Sequence, residues 1–239
     1  MSSLYRGAVR QTGGPALQRA LVPAGPGSVR HHSQPREQHF AVTEFGLISN
    51  YVRTPLRHKP SIFSKAGIDS LKQQMVETVR YVFSLATIKY NLSGWNAKDF
   101  AVQAEDLYGL MNEAYAMGDL QTLKELCFPT MLSSLKNDIK RRNGRLEWRK
   151  VETLTPPRTV QVCCGRLTTD FTIGQVVVRI DQEQLIRPAG KARSASKPPK
   201  PVRVTEYVVF QRVVSDAKSP WRIYGKMDVP AWDMPPSSK

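Results

Sequence analysis

Apolar residues recur at three- and four-residue steps from Ile68 through Leu71, Met75, Val79 and Val82 to Ala86. That spacing predicts a helix over residues 66–91 with one apolar face, while Lys72, Glu77, Arg80 and Lys89 take the other faces. Core packing is expected for most of that stripe, with a membrane surface as the alternative. The segment "NLSGWN" breaks the pattern with turn chemistry, and Asn96 is placed to cap the next helix. This second helix is predicted over residues 97–117, with Phe100, Ala104, Leu107, Met111 and Tyr115 as its buried stripe. It is acidic, carrying Asp99, Glu105, Asp106 and Glu113.

The stretch "AYAMGDLQTLKELCFPTM" then packs two corners into a short length. Gly118 suits a left-handed helix end, and Asp119 suits the N-cap of the short helix "LQTLKELC". Pro129 fits the first turn of a further helix, where its missing N–H is no loss. That helix carries Met131, Leu132, Leu135 and Ile139 and ends in "KRRNG", with cations at its negative end and Gly144 as a stop.

From about residue 145 the period becomes two. "RLEWRKVETL", "RTVQVCCGRLT", "DFTIGQVVVRIDQEQLI", "VRVTEYVVFQRVV" and "PWRIYGKMDV" alternate or are rich in β-branched residues, as strands are. Four or five antiparallel strands are expected, interrupted by a Pro-, Lys- and Arg-rich loop over residues 187–203. Helices first and strands after give an α+β fold, with N-terminal helices packed on one face of a curled antiparallel sheet.

Charge changes the picture next. The chain has 239 residues, with 35 Lys and Arg against 20 Asp and Glu, for a net charge of +15. Such a balance points to an anionic partner, nucleic acid or an acidic membrane surface. Residues 1–36 hold Arg6, Arg10, Arg19, Arg30 and Arg36 and no acid, which is the composition of a mitochondrial targeting segment. The expected organisation is a presequence over 1–32, removed near "VRHHS", and an extended arm over 33–65. A domain over 66–229 and a tail over 230–239 complete the chain. No apolar run reaches the length of a membrane-spanning helix. The cysteines Cys127, Cys163 and Cys164 are odd in number, and they imply no disulfide framework.

Catalytic signatures are missing. All four histidines, His31, His32, His39 and His58, precede the predicted domain, which removes the usual general base from it. Adjacent Cys163 and Cys164 lack zinc-site spacing, and no phosphate-loop, dinucleotide or nucleophile-elbow motif occurs. Asp170 is the one candidate for an acid in a cone-shaped pocket, and a solvated strand end is the expected state for it. No enzyme activity, cofactor, metal or small-molecule substrate is expected.

Two basic clusters remain as candidate RNA- or membrane-binding sites. The first is Lys136, Lys140, Arg141, Arg142, Arg145, Arg149 and Lys150; the second is Arg187, Lys191, Arg193, Lys197, Lys200 and Arg203. Each cation held near an anionic bilayer contributes about 1 kcal/mol, and each phosphate contact adds to the salt dependence of RNA binding. Trp148 and Trp221 are expected in the core, with base stacking or a lipid interface as alternatives.

The segment "NEAYAMGDLQTLKELCFPTMLSSLKNDIKRR" resembles the signature of the domain shared by the matrix-side import-motor scaffold (translocase of inner membrane subunit forty-four) and its mitoribosomal relatives. "EYVVFQRVVSDAKSPWRIYGKM" is similar to the closing hairpin of that domain, and the resemblance covers about residues 66–229. It implies a cone-shaped fold like nuclear transport factor two and work at the matrix face of the inner membrane. Its better match is the mitoribosomal branch, that of mitochondrial large-ribosomal-subunit protein forty-five and the fungal membrane-associated mitoribosome receptor. The implied role is a non-enzymatic tether that holds the large subunit to the membrane and supports co-translational insertion. The implied partners are ribosomal RNA and proteins near the tunnel exit, anionic inner-membrane lipids and the membrane insertase. An import-motor adaptor is the alternative.

Overall fold

The computed structural model describes residues 44–55, 58–59, 61, 63–142, 144–167, 170–189 and 200–234. Four helices precede four strands: α1 (Lys65–Asn91), α2 (Ala97–Met117), α3 (Leu120–Leu126), α4 (Pro129–Arg141), β1 (Leu146–Arg166), β2 (Thr172–Pro188), β3 (Val202–Val213) and β4 (Arg222–Met227). The strands form one antiparallel sheet in sequence order, so each pairs with its chain neighbour. The α+β architecture expected from the sequence is what forms.

The two corners take the expected chemistry. Gly118 adopts φ 78° and ψ 26°. Its N–H donates to Tyr115 O, and the Asp119 N–H reaches back to Ala114 O, closing the end of α2. Asp119 Oδ1 accepts from the Gln121 and Thr122 N–H groups at 3.0 and 3.2 Å. Pro129 opens α4 at its first turn.

β1 runs as one strand of 21 residues where the sequence suggests two. Four register shifts against β2, between Lys150 and Gln161, absorb its Thr-Pro-Pro interruption. Such shifts bend and twist a strand, so the sheet curls without breaking.

Alternation along the strands sorts residues onto two faces. Val176, Val178 and Ile180 of β2 face the helices and pack with Phe100, Ala104, Tyr108 and Met111 of α2. Trp221 belongs to this core, its ring 4.6 Å from Phe100. Val177, Tyr207 and Val209 face the other way, and Val52 of the N-terminal arm packs on them. The arm is therefore docked along residues 44–55. The Gln175 amide reads its backbone as a neighbouring strand would, accepting from Ile48 N at 2.9 Å and donating to Gly46 O at 2.8 Å.

The C-terminal segment closes the same face. A 3-10 turn, Ala231–Asp233, brings Asp233 onto Arg179, with Nε to Oδ2 at 2.6 Å and Nη2 to Oδ1 at 3.0 Å. Tyr207 donates to the same carboxylate at 2.7 Å. Asp181, 1% exposed, takes Arg203 in a two-pronged pair at 2.9 and 3.0 Å, with Thr155 and Thr205 as further donors.

α1 departs from expectation. Ile68, Leu71, Met75, Val79, Val82 and Ala86, the stripe expected in the core, are exposed. The helix instead turns a mixed face inward, with Gly67, Ser84 and Ile88 buried and Gln74, Glu77 and Tyr81 half-buried. The reason lies in the surface it covers. β1 is an edge strand, whose outward backbone groups need polar partners. Ser84 Oγ accepts from the Cys164 N–H at 2.9 Å, a role that an aliphatic side chain cannot fill.

Candidate functional site

Two surfaces concentrate the features that the sequence singles out. One is a basic edge at the end of α4 and the start of β1. The other is the outward face of α1.

Both elements of the basic edge are built locally. α4 ends where Gly144 takes φ 89°, and β1 begins two residues later, so the last turn of one and the first residues of the other lie close in the chain. Lys136, Lys140 and Arg141 are exposed on α4, and Arg145 and Arg149 are exposed beside and on β1. None of these five makes an ion pair among the described residues.

Arg142 is placed differently. It is half-buried, and its Nη2 donates to the carbonyls of Tyr115 and Ala116 at 2.7 and 2.8 Å. Its guanidinium lies 4.7 Å from the centre of the Tyr115 ring. These carbonyls are in the last turn of α2, where the helix dipole is negative and the intrahelical partners run out. Arg142 thus holds α4 to α2 through Nη2, while its Nε and Nη1 are hidden from solvent without a hydrogen-bond partner among the described residues.

The other expected site residues divide similarly. Lys150 is exposed but lies 3.6 Å from Glu105, a carboxylate that also accepts from Thr153 at 2.8 Å. Arg187 forms a two-pronged pair with Glu147 across the β1–β2 ladder, both contacts at 2.7 Å. The hydrogen bonds from Arg187 hold the Glu147 carboxyl below its ordinary range. Arg203 is committed to Asp181. Lys200 is exposed. Lys191, Arg193 and Lys197 lie outside the described residues. The span expected as a basic loop over 187–203 is shorter, because β2 continues to Pro188 and β3 starts at Val202. Arg187 and Arg203 are therefore strand residues with partners across the ladder and within the sheet, a role that charge patterning alone does not reveal.

Trp148 is half-buried, and its Nε1 donates to Gln184 Oε1 at 2.9 Å, so the ring is anchored rather than offered to a base. Gln184 in turn donates to the Tyr108 hydroxyl at 3.0 Å. Asp170 is exposed, a solvated strand-end acid. Burial pushes the Cys127 and Cys164 thiols up to about 12 and Cys163 up to about 11, so none is poised as a nucleophile. Among the described residues, no three His, Cys, Asp or Glu side chains gather as metal ligands.

The outward face of α1 is the surface that sequence periodicity located and assigned to the wrong side. Met75 is 63% exposed, Phe83 70% and Tyr90 89%. Ile68, Leu71, Val76, Val79 and Val82 lie between or beside them on the same helix. Lys65, Lys72, Arg80 and Lys89 flank the stripe, and Arg80 is paired with Glu77 at 2.7 Å. A contiguous apolar face rimmed by charge marks a contact surface for a lipid bilayer or another protein. Among the described residues, no helix is long and apolar enough to cross a membrane.

Comparisons with known proteins agree with this architecture. Residues 83–227 match the family model of the Tim44-like domain. The large ribosomal subunit protein mL45 of Bos taurus is 31% identical over 214 residues, covering 87% of this chain and 67% of that protein. The mL45 proteins of Xenopus tropicalis and Drosophila melanogaster are 28% and 24% identical, over 86% and 78% of this chain. The chain spans 66% of the length of the first of these two and 52% of the second. Among solved structures, the intermembrane space region of chloroplast protein ARC6 is 12% identical at a TM-score of 0.35, covering 53% of this chain and 93% of that one, too loose a likeness to bear on function. The α1–α4 corners, the single curled sheet and these matches together show that the chain belongs to the Tim44-like domain family, with homology to mL45 over most of its length.

Proposed function

We propose that the chain is a non-enzymatic protein of the mitochondrial large ribosomal subunit that holds the subunit against the matrix face of the inner membrane and so supports co-translational insertion. Its ribosomal part rests on the homology to mL45, which is named as a large-ribosomal-subunit protein. The acid-free, Arg-rich segment over residues 1–36 supports the mitochondrial address.

The observation that carries the tether is the exposed apolar face of α1. Exposed Phe, Met, Val and Leu side chains on one face of a 27-residue helix suit insertion at the headgroup boundary, with the flanking lysines toward anionic lipid. The basic edge, rich in cations that form no ion pair among the described residues, suits the phosphates of ribosomal RNA. The two surfaces divide the anionic partners: lipid at α1, RNA at α4 and β1. The insertase is the further partner that a tether would serve.

The test is flotation of the full chain with vesicles of mixed neutral and anionic phospholipid, run beside sedimentation with purified large subunits. Replacing Leu71, Val79 and Phe83 by Asp is expected to abolish flotation while sedimentation with the subunit persists. Unchanged flotation removes α1 as the membrane surface. Failure to sediment with large subunits at low salt in the unaltered protein removes the ribosomal role and leaves an import-motor adaptor as the reading.

A further inference from the structure

A cavity of about 280 Å³ opens where the arm, α1 and β1 meet, apart from both the basic edge and the outward face of α1. Tyr51 and Arg53 of the arm, Glu77 and Tyr81 of α1, and Gln161 and Cys163 of β1 line it.

Gln161 is 6% exposed. Its Nε2 donates to Ser49 Oγ at 2.9 Å, while its Oε1 is hidden from solvent with no hydrogen-bond partner among the described residues. A buried acceptor left unpaired costs about 1–3 kcal/mol, so a donor belongs beside it. Glu77 is 14% exposed and accepts one hydrogen bond, from Arg80 to Oε1. An ionised carboxylate offers about four acceptor positions, so most of its capacity is open. Its charge is felt in the cavity, though less than that of Arg53 at Tyr51: burial pushes the Tyr51 phenol up, Arg53 opposes, and Glu77 adds a smaller push. Burial likewise pushes the Cys163 thiol up, with Glu77 adding and Arg80 opposing. Arg53, the cation among the lining residues, is exposed to solvent. The buried lining thus offers acceptors and aromatic rings and asks for a donor.

The geometry points to a binding site for a small ligand with a primary ammonium group, held by Gln161 Oε1 and the Glu77 carboxylate, with a short hydrocarbon stem against Tyr51 and Tyr81. Tyrosine faces attract a cation and shield an alkyl chain equally well. The volume is at the small end for ligand sites, which limits the stem to a few carbons. Two of the lining residues belong to the arm, and Gln161 also holds Ser49. The ligand therefore meets its full set of contacts only when the arm is down, and binding fastens the arm to the domain.

Hydrogen exchange of the arm amides, residues 44–55, in the full chain tests this with 1,4-diaminobutane as the probe and butyrate at matched ionic strength as the control. At about ten times its Kd the diamine is expected to slow their exchange about tenfold, by mass action on the docked arm. Butyrate is expected to have no effect. Glu77→Gln leaves the Gln161–Ser49 contact in place and is expected to remove the slowing, and Gln161→Met is expected to do the same. No slowing at millimolar diamine, equal slowing by butyrate, or slowing that survives both substitutions overturns the proposal and assigns the cavity to water.

Discussion

Arg142→Ala separates the architecture of the basic edge from its binding capacity. The guanidinium donates to two carbonyls in the last turn of α2 at 2.7 and 2.8 Å and covers the Tyr115 ring at 4.7 Å. Hydrogen bonds from a charged donor contribute about 1.5–3 kcal/mol. A cation at a helix C-terminus contributes about 0.3–2 kcal/mol, and a half-buried cation–π contact about 1 kcal/mol. One group makes all three, so they do not add, and the expected loss is about 2–4 kcal/mol. For a domain of this size each kcal/mol moves Tm by about 2–4 °C. Urea unfolding with thermal melts would measure both quantities. Arg141→Ala, next in the chain but exposed, is the control and is expected to change stability by less than about 0.5 kcal/mol. Arg142→Lys is expected to recover part of the loss through its charge alone, because an ammonium lacks the planar fork. If Arg142→Ala unfolds within about 0.5 kcal/mol of the unaltered protein, Arg142 is a surface cation like its neighbours and the assignment fails.

Reversing Lys136, Lys140, Arg141, Arg145 and Arg149 to Glu is expected to leave the melting curve nearly intact while sedimentation with large subunits is lost at physiological salt. Single reversals are expected to lower the log–log salt slope by about 0.7–0.9 per phosphate contact removed; an unchanged slope places RNA elsewhere. Asp233→Asn bears on the C-terminal strap. Burial alone would raise the Asp233 pKa, but the hydrogen bonds from Arg179 and Tyr207 outweigh it and hold the carboxyl below its ordinary value. A depressed folded-state pKa gives stability that is present above the unfolded value of about 3.9 and lost as pH falls through the folded value. The unaltered protein should therefore lose its advantage over Asp233→Asn as pH drops from about 5 toward 3. Parallel stability curves across that range would remove the ion pair as the cause. Gly174→Ala is expected to cost about 1–3 kcal/mol by overpacking, because its Cβ would meet Val214 Cγ1 at 2.8 Å and Ile88 Cδ1 at 3.2 Å. A Tm unchanged by this substitution means that α1 yields at Ile88 and is loosely seated.

Local chemistry in the sequence determined the elements. Gly118, Asp119 and Pro129 dictate helix ends whatever lies around them, because a left-handed φ, a carboxylate cap and a missing N–H are constraints within a few residues. Period-two runs of β-branched residues located the strands, and helices followed by strands gave the α+β class. The stripe on α1 was equally legible as a stripe, but periodicity says that a helix has an apolar side, not which side the fold buries. In the folded chain α1 turns Gly67, Ser84 and Ile88 inward, and Ser84 Oγ accepts from the Cys164 N–H on the edge strand β1. The basic clusters were visible as charge and indistinct as function for the same reason. Arg142, Lys150, Arg187 and Arg203 acquire partners 27, 45, 40 and 22 residues away in the chain, and only the folded chain brings Tyr115, Glu105, Glu147 and Asp181 to them. Charge is written in the sequence residue by residue, whereas its neutralisation is a property of distance in space, which the tertiary structure alone supplies.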